Sequence, residues 1–327
     1  MSETRQSVVL SVVVPVFNEE DVLPVLFERL QASLSRLPDV PYEIVFVNDG
    51  STDSSARQLR EFCVREPHAA VVSLSRNFGQ QASITAGLSR SHGQCVIVLD
   101  ADLQDPPELI PDLMQRWRAG CQVVLARRRS RGEGIWRRAV FAAFYRILGM
   151  VSDYPLQLQS GVFGLMDRKV VDQLLGMSEQ NRFLPGMRSW LGFTQGVLEY
   201  NRSERAAGRP KQTLGRLLRY GFDAIFSFSH KPLRIIWIAG SAISALCFAY
   251  AAGLLILRLL RINVVPGFTT PTIAILFLGG VQLTAIGVLG EYLGRIYDEV
   301  KRRPLFVVAD EFPVPDSSQS GTAAEST

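Results

Sequence analysis

A chain of 327 residues with 47% apolar and 20% charged residues is richer in apolar side chains than an ordinary soluble enzyme, which directs attention to a membrane. The formal net charge of +4 is modest; anionic lipid or phosphate groups suit it as well as nucleic acid would, and no nucleic-acid module signature appears. Isolated cysteines (Cys63, Cys95, Cys121, Cys247) and histidines without ligand spacing (His68, His92, His230) argue against a disulfide framework, a zinc site or a histidine-based centre.

The N-terminus has no apolar signal-peptide core, so the first domain is expected in the cytoplasm. Residues 8–14 read as a strand, and 21–35 as a helix with apolar positions at Val22, Val25, Leu26, Leu30 and Leu34. Residues 42–47 make a second strand, after which Asp53 or Ser54 caps a helix reaching Arg65. A strand at 71–74, a helix at 80–91 and strands at 95–99 and 123–126 continue the alternation. Pro106 and Pro107 open a helix over 108–119, because the N–H groups of a first turn have no partner in any case. Such alternation predicts an α/β fold, a mostly parallel sheet covered by helices.

Sheets of this kind bind ligands outside the carboxyl ends of their strands. The polar motifs fall there: Pro15-Val-Phe-Asn18-Glu19-Glu20, then Asn48-Asp49-Gly50-Ser51, then Arg76-Asn77-Phe-Gly79, then Asp100-Ala-Asp102. The first turn lacks G-x-G-x-x-G and GK[ST], which disfavours a dinucleotide dehydrogenase or a P-loop enzyme. In an extended segment Asp100, Asp102 and Gln104 would project the same way. Oxygen ligands so arranged suit a hard divalent ion, Mg²⁺ or Mn²⁺.

Arg127, Arg128, Arg129 and Arg131 follow the fifth strand, where a planar guanidinium fork suits phosphate. Arg137 and Arg138 lie in a helix-like run over 135–150 among aromatic residues, which fits a helix on a membrane surface and an ordinary amphipathic helix equally. Residues 211–229 mix Lys211, Arg216 and Arg219 with apolar residues and read as an interfacial helix. Two uncharged runs, 235–257 and 273–290, are long enough to span a bilayer. Lysine and arginine flank the outer ends of the pair, so both ends are expected in the cytoplasm and the connecting loop outside. Residues 301–308 return as a basic turn and short strand, and the tail from Pro313 reads as disordered. The expected organisation is a catalytic domain over 1–212, a juxtamembrane helix over 213–232, a hairpin over 233–294, a cytoplasmic segment over 295–312 and the tail over 313–327.

Here the residues also resemble a family. Val-Val-Val-Pro-Val-Phe-Asn-Glu-Glu, Val-Asn-Asp-Gly-Ser, Leu-Ser-Arg-Asn-Phe-Gly and Leu-Asp-Ala-Asp-Leu-Gln-Asp-Pro-Pro-Glu are similar to glycosyltransferase family 2 and its GT-A (Rossmann-like) fold. Phe226-Ser-Phe-Ser229, Pro232-Leu-Arg234, Ile275-Leu-Phe-Leu-Gly-Gly-Val-Gln282 and Gly290-Glu-Tyr-Leu-Gly-Arg-Ile-Tyr297 resemble its polyprenyl-phosphate branch. Bactoprenol glucosyltransferases fit best within that branch, and dolichol-phosphate mannose synthases more distantly. The resemblance implies that Pro15, Asn18, Glu19 and Asp49 line a nucleotide pocket, and that Asp100, Asp102 and Gln104 hold Mg²⁺ or Mn²⁺ on the donor diphosphate. It implies further that Arg127, Lys211 and, more loosely, Arg138 serve phosphates of donor or acceptor. The implied partners are a nucleotide-diphospho-sugar, UDP-linked by expectation, a polyprenyl phosphate and the bilayer, with room for a homo-oligomer. One departure stands out: where these relatives usually read Gly-Asp-Phe-Arg, this chain reads Gly161-Val162-Phe163-Gly164, and neither Asp153 nor Asp167 matches the missing carboxylate.

Overall fold

In the computed structural model the described residues are 8–128, 161–200 and 269–313, with scattered helical positions between 238 and 250. The chain divides into two compact units, one carrying every strand among the described residues and the other the long C-terminal helix. In the first unit β1 (Leu10–Val16), α1 (Leu23–Leu34), β2 (Tyr42–Asn48), α2 (Ser55–Arg65), β3 (Ala69–Leu74), α3 (Gln80–Ser89), β4 (Cys95–Val98), α4 (Ile110–Arg118) and β5 (Val123–Arg128) follow the expected alternation. Beyond the undescribed stretch come β6 (Gly164–Asp167), α5 (Arg168–Gly176), α6 (Leu184–Trp190), β7 (Gln195–Tyr200) and, near the C-terminus, β8 (Val308–Phe312).

The strands form one sheet in the order β7-β5-β6-β4-β1-β2-β3-β8. β6 and β8 run against the other strands, which share one direction, so the sheet is mostly parallel, as the alternation predicts. Leu10, Val12, Val13 and Val14 are fully buried at its centre, because helices cover both faces and an alternating pattern is not needed there. Each such side chain contributes about 1.5–3 kcal/mol of burial.

α1 lays Leu23, Leu26, Phe27, Leu30 and Leu34 onto this core at helical spacing. Phe27 stacks on Phe62 of α2 at 4.2 Å between ring centres and meets the edge of Phe46 of β2 at 5.6 Å. α3 sits closer still, because a Cβ on Gly87 would come within 2.3 Å of Val13. That approach brings the start of α3 to the carboxyl end of β4.

Three boundaries depart from the sequence reading. The helix expected from 108 begins as a single 3₁₀ turn at Pro107–Leu109 and becomes α-helical only at Ile110. α7 (Thr269–Lys301) is much longer than the apolar run at 273–290, because nothing breaks the helical pattern before Arg302, which adopts φ +48°. The last strand therefore starts later than expected, at Val308, where it pairs antiparallel with β3. Within α7, Phe277–Lys301 is long and apolar enough to cross a membrane by length and composition. The other arm of the expected hairpin, the helices expected over 135–150 and 213–232, and the tail from 314 lie outside the described residues, apart from helical positions such as Ile238 and Leu246.

Candidate active site

The loops after β1 and β2 interlock through the residues that the motifs singled out. Pro15 lies in β1 opposite Val47 of β2. Asn18 adopts φ +53°, a left-handed conformation that asparagine tolerates. Its Oδ1 accepts from the Thr52 N–H at 2.8 Å, while its own N–H donates to Ser51 Oγ at 3.1 Å. The Glu19 N–H donates to Ser55 Oγ at 3.0 Å. Glu20 Oε2 accepts from both the N–H and the hydroxyl of Ser54, at 2.9 and 2.6 Å. Those bonds hold the Glu20 carboxyl below the usual glutamate range.

Asp49 is buried at the end of β2 and accepts from the N–H groups of Phe78 at 2.8 Å and Gly79 at 2.9 Å. Burial raises its pKa, and the two N–H donors oppose that rise. Asp49 thus braces the Arg76–Gly79 loop against β2. Gly50 belongs to the same joint: at φ +67° its Cβ would lie 2.5 Å from the Arg76 carbonyl carbon.

The acidic turn after β4 is differently surrounded. The strand stops at Val98, Leu103 adopts φ +57°, and Asp102 Oδ1 accepts from the Gln104 N–H at 3.0 Å. The segment is a turn, so the strand alternation expected to align Asp100, Asp102 and Gln104 does not apply. Asp100 Oδ1 accepts from Gln80 Nε2 at 2.8 Å. Burial raises its pKa to about 7, with Asp105, Asp102 and Glu19 adding negative charge around it. Asp105 is itself buried and accepts from the Tyr200 hydroxyl at 2.5 Å.

This excess of negative charge tests the expected metal. Hard oxygen donors gathered at one turn fit a divalent cation. No cluster of three or more histidine, cysteine, aspartate or glutamate side chains able to hold an ion is found among the described residues. Two carboxylates completed by substrate phosphate oxygens is the pattern that suits Mg²⁺.

Arg127 on β5 pairs with Glu199, its register neighbour on β7. Arg138 and Lys211 lie outside the described residues. Phe163 is buried edge-on against Tyr200, and Val162 beside it offers no acid. Asp167 caps α5 through the Lys169 N–H at 3.0 Å and accepts from Trp117 Nε1 at 2.8 Å, so its carboxyl is committed to the scaffold. Sequence reasoning missed Gln80, Tyr200, Glu199 and Arg188. Gln80 alone carried a signal, as the first helical residue after the Arg-Asn-Phe-Gly motif.

Residues 11–175 match the model of Glycosyl transferase family 2. An uncharacterized glycosyltransferase of Bacillus subtilis (strain 168), YkcC, is 41% identical over 93% of this chain and 94% of its own length. The SfII prophage-derived bactoprenol glucosyl transferase of Shigella flexneri is 41% identical over 91% of this chain and 97% of its own. Among solved structures, the mannosyltransferase PcManGT from Pyrobaculum calidifontis, in complex with GDP-Man and Mn²⁺, is 16% identical over 90% of this chain and 86% of that one, with a TM-score of 0.46. A family match over half the chain, and relatives at this identity along nearly its whole length, make the protein a member of glycosyl transferase family 2.

Proposed function

We propose that the protein is an inverting, metal-dependent transferase that moves a sugar from a nucleotide-diphospho-sugar to a polyprenyl phosphate at the cytoplasmic face of a membrane. The observation that carries the reading is the half-buried Asp100 carboxyl, with Asp102, Asp105 and Glu19 adding negative charge around it at the carboxyl end of the sheet. Bactoprenol glucosyl transferases about as long as this chain support the lipid acceptor, and glucose from UDP-glucose is the first donor to test. The apolar helix α7 supports a membrane location, with both termini cytoplasmic by the lysine and arginine bias.

Asp100 and Asp102, with Gln104, would hold Mg²⁺ or Mn²⁺. The ion, when bound, neutralises negative charge developing on the departing nucleoside diphosphate. Pro15, Asn18, Glu19 and Asp49 would shape the nucleotide side, and Arg127, Arg138 and Lys211 would serve phosphate groups. An oxygen of the lipid phosphate forms the new bond to the anomeric carbon, while the bond from that carbon to the diphosphate oxygen breaks and its electron pair leaves with the nucleotide. Attack from the face opposite the leaving group inverts the linkage. A phosphate monoester has a second pKa near ~6 and is mostly dianionic at neutral pH, so the nucleophile arrives deprotonated. Val162 is therefore compatible with turnover.

The test is to incubate the full-length protein with undecaprenyl phosphate, Mg²⁺ and a panel of UDP-glucose, a UDP-aminoarabinose derivative and GDP-mannose, then weigh the lipid. A glucosylated lipid is expected. A different sugar would replace the donor and keep the reaction class. No lipid product with any donor would overturn the transferase reading in favour of a lipid-binding scaffold.

A further inference from the structure

Arg188 on α6 is 4% exposed, and its guanidinium is enclosed by protein. Burying such a charge is costly unless it is paired. Among the described residues its one acceptor is the Gly161 carbonyl, 3.3 Å from Nη2, and no carboxylate faces it. Burial pulls its pKa down to about 10, which leaves it charged at neutral pH. A guanidinium has five N–H donors, so most of this one's capacity is unused by the described residues. Arg182, just ahead of α6, shows what a packing arginine looks like here: it donates to the carbonyls of Leu174, Met177 and Glu179.

The position of Arg188 gives the unused donors a direction. The Leu184 N–H at the start of α6 donates to Gln81 Oε1 at 3.0 Å, and the adjacent Gln80 holds Asp100. Gly164, the end residue of β6 paired with β4, lies opposite Val98; Gly161 lies three residues before it, and Asp100 two residues after Val98. Arg188 is thus tied to the acidic turn through α3 on one side and through Gly161 on the other. Gly161 itself is exposed, and a Cβ on it would meet nothing within 4 Å. The loop itself, Gly161-Val162-Phe163-Gly164, carries neither an acid nor an arginine, and the guanidinium that meets it, that of Arg188, comes from α6.

We propose that Arg188 binds a phosphate group of the reactants, the donor diphosphate or the acceptor phosphate monoester, beside the acidic turn. The proposal rests on the transferase reading. A planar fork matches two phosphate oxygens, and an arriving anion offsets the cost of the buried charge. The residue positions and binds, and makes or breaks no bond.

Binding without turnover tests it, using full-length protein and the variants Arg188→Gln and Arg188→Lys. UDP is titrated by calorimetry, and vesicles containing undecaprenyl phosphate are compared with neutral vesicles by flotation. Arg188→Gln is expected to weaken one of the two about tenfold, and the other less than about twofold, with Arg188→Lys recovering part of the loss. Loss on UDP assigns the donor diphosphate, and loss on the vesicles the acceptor phosphate. Unchanged binding of both by folded Arg188→Gln overturns the proposal. So does a fall in Tm that Arg188→Lys repairs while binding UDP and the vesicles as the parent does. If Arg188→Gln does not fold, Arg188→Lys decides alone, because it keeps the charge and lacks the fork. A parent protein that binds neither probe refutes the transferase reading itself, before any variant is compared.

Discussion

Two acidic clusters sit at the same end of the sheet with opposite surroundings. After β1 and β2, Glu20 and Asp49 are met by N–H and hydroxyl donors from Ser54, Phe78 and Gly79. After β4, Asp100 has one amide donor, from Gln80, and three acidic neighbours. Similar residue types therefore do different work. A carboxylate whose lone pairs are filled by backbone donors fixes a loop, whereas one left in excess negative charge attracts a cation or keeps a proton.

The largest expected effect comes from breaking the second cluster. Asp100→Asn keeps the Gln80 bond and removes the charge, and transfer should fall more than about 100-fold in a radiolabelled-sugar assay. With Asp100 carrying a pKa of about 7 against 3.8 when unfolded, the folded protein holds an extra proton between those values. Stability without metal then falls as pH rises from about 4 to 7. The Asn variant escapes that penalty, so its metal-free Tm should exceed the parent's at pH 8 and match it near pH 4. Mg²⁺ affinity of the parent should weaken about tenfold per unit as pH drops below 7, because protons compete for the same oxygens. A variant with unchanged turnover and no Tm gain would erase the contrast between the clusters.

Asp49→Ala sharpens the first cluster. It strands two N–H donors and should cost about 2–3 kcal/mol, read as a lower midpoint in urea. Nucleotide affinity should fall with it as the Arg76–Gly79 loop loosens. An affinity loss with no change in midpoint would make Asp49 a ligand group instead of a brace.

The smallest effect lies just beyond the acidic turn, where Arg29 meets both oxygens of Glu108 at 2.8 and 2.7 Å. The hydrogen bond from Arg29 holds the Glu108 carboxyl below its usual value of 4.5. A depressed carboxylate stabilises above its unfolded pKa, and that contribution is lost as pH falls through the folded one. Glu108 is 40% exposed and screened, so Glu108→Gln should cost only about 0.5–1 kcal/mol at pH 7 and nothing measurable near pH 2. A cost that persists at pH 2 would point to packing of the turn.

Much of the first unit was legible before any coordinates. Central strands covered on both faces leave apolar runs such as Val12-Val13-Val14, and the motifs at their ends were visible as breaks in those runs. β6 and β7 were not, because Gly164–Asp167 is too short for a periodic signal and Gln195–Tyr200 is only half-buried along most of its length. The alternation applied to 100–104 failed where a turn replaced the strand, with Leu103 at positive φ.

The sequence by itself determined the alternation of strands and helices, the residue types at the strand ends, the apolarity of the C-terminal helix and the resemblance to family 2. Each depends on neighbours within a few positions, or on a run of them. Which polar groups are satisfied was decided only by the tertiary structure, because their partners are far away in the chain. Asp49 is answered by Phe78 and Gly79, Asp105 by Tyr200, and Arg127 by Glu199. Asp100, among three acids, and Arg188, with a single described acceptor, are left poorly compensated, and these are the groups to which we assign substrate chemistry.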